Sequence, residues 1–333
     1  MKTRALHGAT LAWTCEDGAP DLVADLGLAA GIGEEDGRGR IEIVLRRGSD
    51  AESADPALAG YRPSFFHGIV QAYHEPEGAP PGFLLWDRRS RFLVPAGATR
   101  IEGFLSAEEL VPGSARASLE IALSLVLRSV GLFHLHAAAL VRPTHGDTVL
   151  VVGGAGAGKT TTTITLASAG YVFLGDDALL LEETAAGPNL CAFPRPFHVG
   201  PAALSAFPRL APLVGPPKRQ GDKRDLDPSQ AFPGQFLARG PAPRLVLHPR
   251  IEADRPTALA PLSKAEALGN LIASSGGLVI DEVPGKTEHL ALLTRVTNGA
   301  RHFDLRLGRD MLADPSILPA LVEATLAQST AKQ

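Results

Sequence analysis

Hydrophobic and polar positions follow two regimes along this chain. Up to about residue 110 the apolar residues come in short runs, some alternating with polar ones. Ile41–Arg47, Ile69–His74, Phe83–Trp86 and Arg91–Val94 read as strands, and Asp87–Ser90 joins the last two as a hairpin turn. Gly31–Gly39 and Glu75–Gly82 read as glycine- or proline-rich loops. From Ser114 the period becomes helical. Leu119, Leu123, Val126 and Val130 form a stripe that Ile121, Leu125 and Leu127 broaden, with Ser114 as the cap and Gly131 as the stop. Leu135–Arg142 and Thr148–Val152 then read as strands around a turn at Pro143–Asp147. Thr160–Ala169 reads as a helix and Tyr171–Leu174 as a short strand. Farther on, Arg244–Ile251 and Leu278–Ile280 are predicted strands. A capping box, Ser263 to Glu266, opens a helix to about Ser274, and Asp314-Pro315-Ser316 opens a C-terminal helix carrying Leu318, Leu321, Val322 and Leu326. The pattern predicts a small, mainly β unit over 1–110 and an α/β domain over 111–333. An irregular, proline-rich region at about 187–243 interrupts the second.

Composition narrows the function classes. With 333 residues, 45% apolar and 20% charged, the chain has the profile of a globular protein. A formal net charge of -4 excludes a strongly basic nucleic-acid surface, so no nucleic-acid partner is expected. The most apolar stretch, Leu119–Val141, is interrupted by Glu120, Arg128, His134 and His136, so no membrane span is expected. The N-terminal residues carry no signal-peptide pattern. Cys15 and Cys191 read as free thiols, which fits the cytoplasm. An oligomer is compatible with everything so far.

The strongest chemical signal lies at the end of the Thr148–Val152 run. Gly153, Gly154, Ala155, Gly156, Ala157, Gly158, Lys159 and Thr160 satisfy the phosphate-loop spacing G-x-x-x-x-G-K-[ST]. Without β-carbons the backbone can curl so that successive N–H groups face phosphate oxygens, and the following helix adds its positive end. Lys159 can reach the outer phosphates, Thr160 can sit on Mg²⁺, and Thr161 continues the cradle. Asp176 and Asp177 end the next apolar strand, where an open parallel sheet presents its ligands. One carboxylate can bind Mg²⁺ while the other accepts a hydroxyl proton as the γ-phosphoryl group moves.

Together these residues resemble the HPr kinase/phosphorylase-like P-loop kinases, a family related in fold to phosphoenolpyruvate carboxykinase. His136 in Leu135–Val141, the loop Gly153–Thr160, the Gly170-Tyr171 junction and Asp176-Asp177 follow that family's order. The resemblance covers 134–177. It implies an α/β, P-loop-containing carboxykinase-like core, Asp176 as the base that activates a hydroxyl, Asp177 supporting the metal, and His136 beneath the phosphates. Ala155 and Thr160 each stand where HPr kinases carry serine, and Phe193–His198 stands where they carry a glycine-rich signature. The chain thus looks more like the divergent kinases related to HPr kinase, including those that act on small ribosomally made peptides.

Lys218, Arg219, Lys223 and Arg224 lie in a charged, proline-rich stretch that reads either as a closing lid meeting ATP phosphates or as a solvated loop. Lys223 and Arg224 are the better candidates. The leading expectation is an ATP- and Mg²⁺-dependent kinase acting on a Ser or Thr hydroxyl of a peptide or protein. A small-molecule kinase for an amino acid or sugar, and a nucleotide-binding regulator without transfer, are the alternatives. No guanine motif Asn-Lys-x-Asp occurs, which disfavours a GTPase.

Overall fold

A computed structural model describes residues 1–48, 55–76, 82–97, 99–109, 111, 113–217, 223–279 and 283–330. It is a mixed α/β protein with several sheets. Two compact units are present: Met1–Phe133 with Gly276–His289, and His134–Ser275 with Leu290–Gln333.

The first unit is built on a seven-stranded sheet. Its strands are β1 (Lys2–Cys15), β2 (Ile32–Arg47), β3 (Arg62–His67), β4 (Val70–His74), β5 (Phe83–Trp86), β6 (Arg91–Val94) and β7 (Arg100–Leu105), in the order β1-β2-β7-β6-β5-β4-β3. β1, β2 and β7 run parallel, and the remainder is an antiparallel meander. Parallel neighbours need a crossover, and α1 (Leu22–Asp25) lies in the one between β1 and β2. The β5–β6 hairpin forms where the alternation predicts it. The loop expected at Gly31–Gly39 is instead the irregular first half of β2. Register there jumps from Gly8–Glu35 to Ala9–Gly39, and Gly33, Gly37 and Gly39 take positive φ. β1 gives no sequence signal for a related reason. Both its faces are buried between Leu6 and Trp13, and a bulge at His7 and Gly8 destroys the period of two.

Helix α2 (Ser114–Leu127) buries residues all round, as its broad stripe predicts, and Gly131 ends the following turn at φ 73°. Ser114 does not cap it. Gly113, at φ 84°, occupies that position, and the Ser114 hydroxyl donates to Asp87 Oδ2 at 2.7 Å. Asp87 is wholly buried, and its Oδ1 accepts from the backbone N–H groups of Arg89 (2.9 Å) and Ser90 (2.6 Å). One carboxylate therefore closes the hairpin turn and fastens it to the start of α2.

Strand β8 (Leu132–Leu135) carries the chain from the first unit into the second. There follow β9 (Ala137–Val141), β10 (Thr148–Val152), α3 (Lys159–Ser168), β11 (Val172–Gly175), β12 (Leu179–Thr184), β13 (Gly187–Ala192) and β14 (Phe197–Val199). Next come α4 (Pro201–Ala206), β15 (Val214–Pro217), β16 (Arg224–Leu226), α5 (Pro228–Ala231), β17 (Arg239–Pro241), β18 (Pro243–Ile251) and β19 (Ala258–Pro261). The chain ends with α6 (Lys264–Ser275), α7 (Lys286–Gly299), β20 (Arg301–Leu307), α8 (Arg309–Ala313) and α9 (Ile317–Thr330). The single strand expected over Leu135–Arg142 is broken at His136, which separates β8 from β9. Leu278 and Val279 form a 3₁₀ turn rather than a strand, and Ile280 lies outside the described residues. The capping box is present: the Ser263 hydroxyl donates to Glu266 Oε2 at 2.6 Å and accepts from the Glu266 N–H at 3.3 Å.

The main sheet of this unit has the order β11-β9-β10-β18-β20-β19. The expected open parallel sheet is only its centre: β10, β18 and β20 are parallel, while β9 runs against both β10 and β11 and β19 runs against β20. Its core joins Val149, Val151, Leu245, Leu247 and Leu305 to Ile164 and Leu166 of α3 and to Leu318, Val322 and Leu326 of α9. The proline-rich stretch also holds regular elements. Pro201, Pro208 and Pro228 stand at helix starts, where a missing N–H costs nothing. Phe197, Leu210, Leu226 and Phe232 are buried in the same core, and the ring of Phe173 meets that of Phe197 edge-on at 5.2 Å.

Replacing Asp87 by Ala removes three hydrogen bonds from a buried turn. We expect Asp87→Ala to lower unfolding free energy by about 2–4 kcal/mol, read as a lower urea midpoint at unchanged slope.

Candidate functional site

The sheet topology brings three separated motifs to one end. β10 and β11 both run antiparallel to β9, so they run parallel to each other. The residues after their C-terminal ends, Gly153 and Asp176, therefore emerge beside the residue before β9, which is His136. Val152 pairs with Ala137 and Gly175 with Ala139.

The loop after β10 is held by its packing. Gly158 caps α3 at φ 107°, and a β-carbon there would stand 2.3 Å from Leu307 Cδ1. Gly156 also takes a positive φ of 80°, and a β-carbon on Gly153 would meet Ala157 Cβ at 3.0 Å. Helix α3 accommodates its threonine run by turning hydroxyls onto the backbone. Thr163 donates to the Lys159 carbonyl at 3.0 Å and Thr165 to that of Thr161 at 2.8 Å. Gly154 and Ala155 are respectively exposed to water, while Ala157 and Gly158 are half-buried and Thr161 sits half-buried in the first helical turn.

Lys159 is the hub of the cluster. Its side chain is 6% exposed, and its ammonium donates to the carbonyls of Gly153 (2.7 Å) and Gly154 (3.3 Å) and lies 2.9 Å from His136 Nε2. Asp177 Oδ1 stands 3.4 Å from the same ammonium and 3.5 Å from His136 Nε2. Burial pushes the His136 imidazolium down, with the Asp177 charge acting the other way. An ammonium only donates, so a hydrogen bond from Lys159 requires His136 Nε2 to accept.

The two aspartates differ sharply. Asp176 is buried, and burial, with the charge of Asp177 adding to it, pushes its carboxyl up to about 6. Its Oδ2 accepts from the Thr160 hydroxyl at 2.7 Å, whereas Oδ1 is buried without a hydrogen-bond partner. For Asp177 burial also favours the neutral acid, but His136 and Lys159, then Arg195 and His198, outweigh it and hold the carboxyl below the usual range. Adjacent residues thus supply one carboxyl that gives up its proton with difficulty and one that stays ionised.

The structure therefore brings together His136, Gly153, Gly154, Gly158, Lys159, Thr160, Asp176 and Asp177. It does not bring Lys223 or Arg224 to them. Lys223 is exposed, Arg224 lies in β16 opposite Val199, and neither makes a hydrogen bond or ion pair with the loop or the aspartates. Lys218 and Arg219 lie outside the described residues. Arg195 and His198, which lie in the Phe193–His198 stretch, both act electrostatically on Asp177. His198 Nδ1 also lies 2.7 Å from Asp225 Oδ1. Their signal was the arginine and histidine of Phe193–His198, which follows the aspartates by one hairpin. Cys15 and Cys191 are free thiols, exposed and buried respectively.

Among the described residues no helix is long and apolar enough to cross a membrane. No group of three or more His, Cys, Asp or Glu side chains among them is placed to enclose a metal alone. No family model matches the chain, and no curated protein is similar to it. Among solved structures it is similar to the Hpr(Ser) kinase/phosphatase from Coxiella burnetii, with 12% identity and a TM-score of 0.31 over 59% of this chain and 98% of that one. A score at that level carries no argument, so the functional reading rests on the site itself.

A carboxyl whose folded pKa lies above its unfolded value stabilises the fold at low pH and loses that contribution as pH rises through the folded pKa. For Asp176 the window runs from about 4 to about 6. We expect the chemical-denaturation midpoint of Asp176→Asn to vary less with pH across that window than the wild-type midpoint does.

Proposed function

We propose that this chain is an ATP- and Mg²⁺-dependent kinase that transfers the γ-phosphoryl group to a hydroxyl, with Ser or Thr of a peptide or protein as the acceptor class. The observation that carries the reading is the convergence of Lys159, Thr160, Asp176, Asp177 and His136 at one end of the sheet. Phosphoryl transfer asks little covalent chemistry of a protein: it needs positioned charge, an oriented nucleophile and a place for one proton.

Each requirement has a residue here. The backbone from Gly153 to Thr161 would cradle the phosphates at the start of α3, and Lys159 would exchange its bonds to the Gly153 and Gly154 carbonyls for phosphate oxygens. His136 then positions the ammonium from the side. Asp176 suits the base: its Oδ1 has no partner, and a carboxyl pushed up to about 6 is ionised at neutral pH yet more basic than an ordinary aspartate. Thr160 and Asp177 would hold Mg²⁺, a hard-oxygen pair that suits this ion because it completes its coordination with phosphates and water. When bound, Mg²⁺ would supply positive charge that offsets that of the phosphates. Acceptor attack on the γ-phosphorus breaks its bond to the bridging oxygen, ADP leaves, and the hydroxyl proton passes to Asp176.

Incubation with γ-labelled ATP and a peptide library should transfer label to Ser or Thr. Asp176→Asn should cut transfer by at least about a hundredfold while ATP still binds, and Lys159→Ala should abolish binding. The wild-type rate should rise with pH through about 6 as Asp176 ionises, and Asp176→Asn should lack that limb. ATP binding without labelling of any peptide, amino acid or sugar would favour a nucleotide-binding regulator and sink the kinase reading.

A further inference from the structure

The flank of the phosphate loop opposite Lys159 has an unexpected surface. Ile251, the last residue of β18, is 62% exposed, one of few large apolar side chains in that condition among the described residues. It is next to the loop: a β-carbon built on Gly158 would lie 3.7 Å from Ile251 Cγ1, beside the 2.3 Å approach to Leu307. β18 and β20 are parallel to β10, and Ile251 pairs with Leu307, so both stand at the C-terminal end of the parallel strands. Open α/β sheets bind ligands in that position.

The polar groups around Ile251 are already occupied. Arg250 makes ion pairs with Asp304 (2.7 Å) and with Glu252. Arg255 lies 3.7 Å from Glu252, and Arg309 lies 3.8 Å from Asp254. The charged side chains near the ends of β18 and β20 are therefore paired with one another, and Ile251 stands beside the loop as an exposed apolar side chain, a poor contact for another phosphate and a suitable one for a flat, uncharged face. A backbone turn locks its shape, since a β-carbon on Gly308 would stand 2.0 Å from the Arg255 carbonyl oxygen.

We infer that Ile251 is the platform on which the nucleobase packs, making it a determinant of nucleotide affinity separate from the phosphate cradle. The inference rests on the phosphate-site reading and adds what that reading lacks, a place for the base. An aliphatic platform contacts the face of the base and leaves its edges unread, so it favours a nucleoside triphosphate over inorganic triphosphate.

Calorimetric titration with Mg-ATP and Mg-tripolyphosphate tests it, because the second ligand has phosphates and no base. Wild type should bind ATP more tightly than tripolyphosphate. Ile251→Ser should weaken ATP about tenfold and leave tripolyphosphate unchanged, and Ile251→Phe should retain ATP affinity. Ile251 is exposed, so both variants keep the core intact. Equal affinity of wild type for the two ligands, an unchanged ATP affinity in Ile251→Ser, or equal losses for both ligands would each overturn the platform while leaving the phosphate site standing. Wild type binding neither ligand would overturn the phosphate site and the platform with it.

Discussion

Everything in the candidate site depends on the direction of one strand. β9 is antiparallel to both of its neighbours, and that alone sends β10 and β11 out of the sheet at the same end. A β9 parallel to either would place His136 some 15 Å or more from the loop, given about 3.3 Å per residue over a five-residue strand. The short turn between β9 and β10 makes the reversal, and a buried charge network holds it. Asp147 there is buried against Arg142 and Arg244, and Arg142 reaches Glu323 of α9 at 2.8 Å. The far end of the hairpin is thus fixed by ion pairs, and the near end is where the chemistry gathers.

Two neighbouring carboxylates behave differently because the backbone turns them into different surroundings. Asp176 points into the protein, where the hydroxyls of Thr160 and Thr163 act on it. Asp177 looks toward a group of nitrogen bases and cations. Their separation arises from packing and needs no bound ion. Gly175 precedes the pair at a close backbone approach, since a β-carbon there would lie 2.8 Å from the Ala178 carbonyl oxygen.

Much of this was legible in the sequence, and the exceptions have physical causes. The phosphate-loop spacing, the β5–β6 hairpin, α2, the capping box and α9 are local patterns, and local patterns are what periodicity reads. Ser114 misled because a serine before a helical stripe usually caps it, whereas here a tertiary partner, Asp87, takes its hydroxyl. The parallel sheet was expected from the βα order around the loop, but strand direction in a sheet is set by distant pairing, and nothing near His136 encodes it. Lys223 and Arg224 are cations in a charged stretch, and Lys223 is exposed. Arg224 is placed by the pairing of β16 with β14 through Val199, a contact across 25 residues. The relation of Arg195 and His198 to Asp177 arises only when the hairpin of β12 and β13 folds back, so the local sequence does not encode it.

The irregular outer strands of the seven-stranded sheet have a consequence for how the chain behaves in a crowded solution. A straight edge strand is a template on which another molecule can add its own strand, and it is the usual seed of β-aggregation. β1, at one edge, is kinked by the bulge at His7 and Gly8. β3, at the other, contains Pro63, which has no N–H to offer, and its register shifts between Pro63 and Phe66. At the bulge and at Pro63 the two edges interrupt the regular hydrogen-bonding ladder that an incoming strand would use. The glycines and proline that hide these strands from a periodicity search are the same residues that protect the sheet from its own kind.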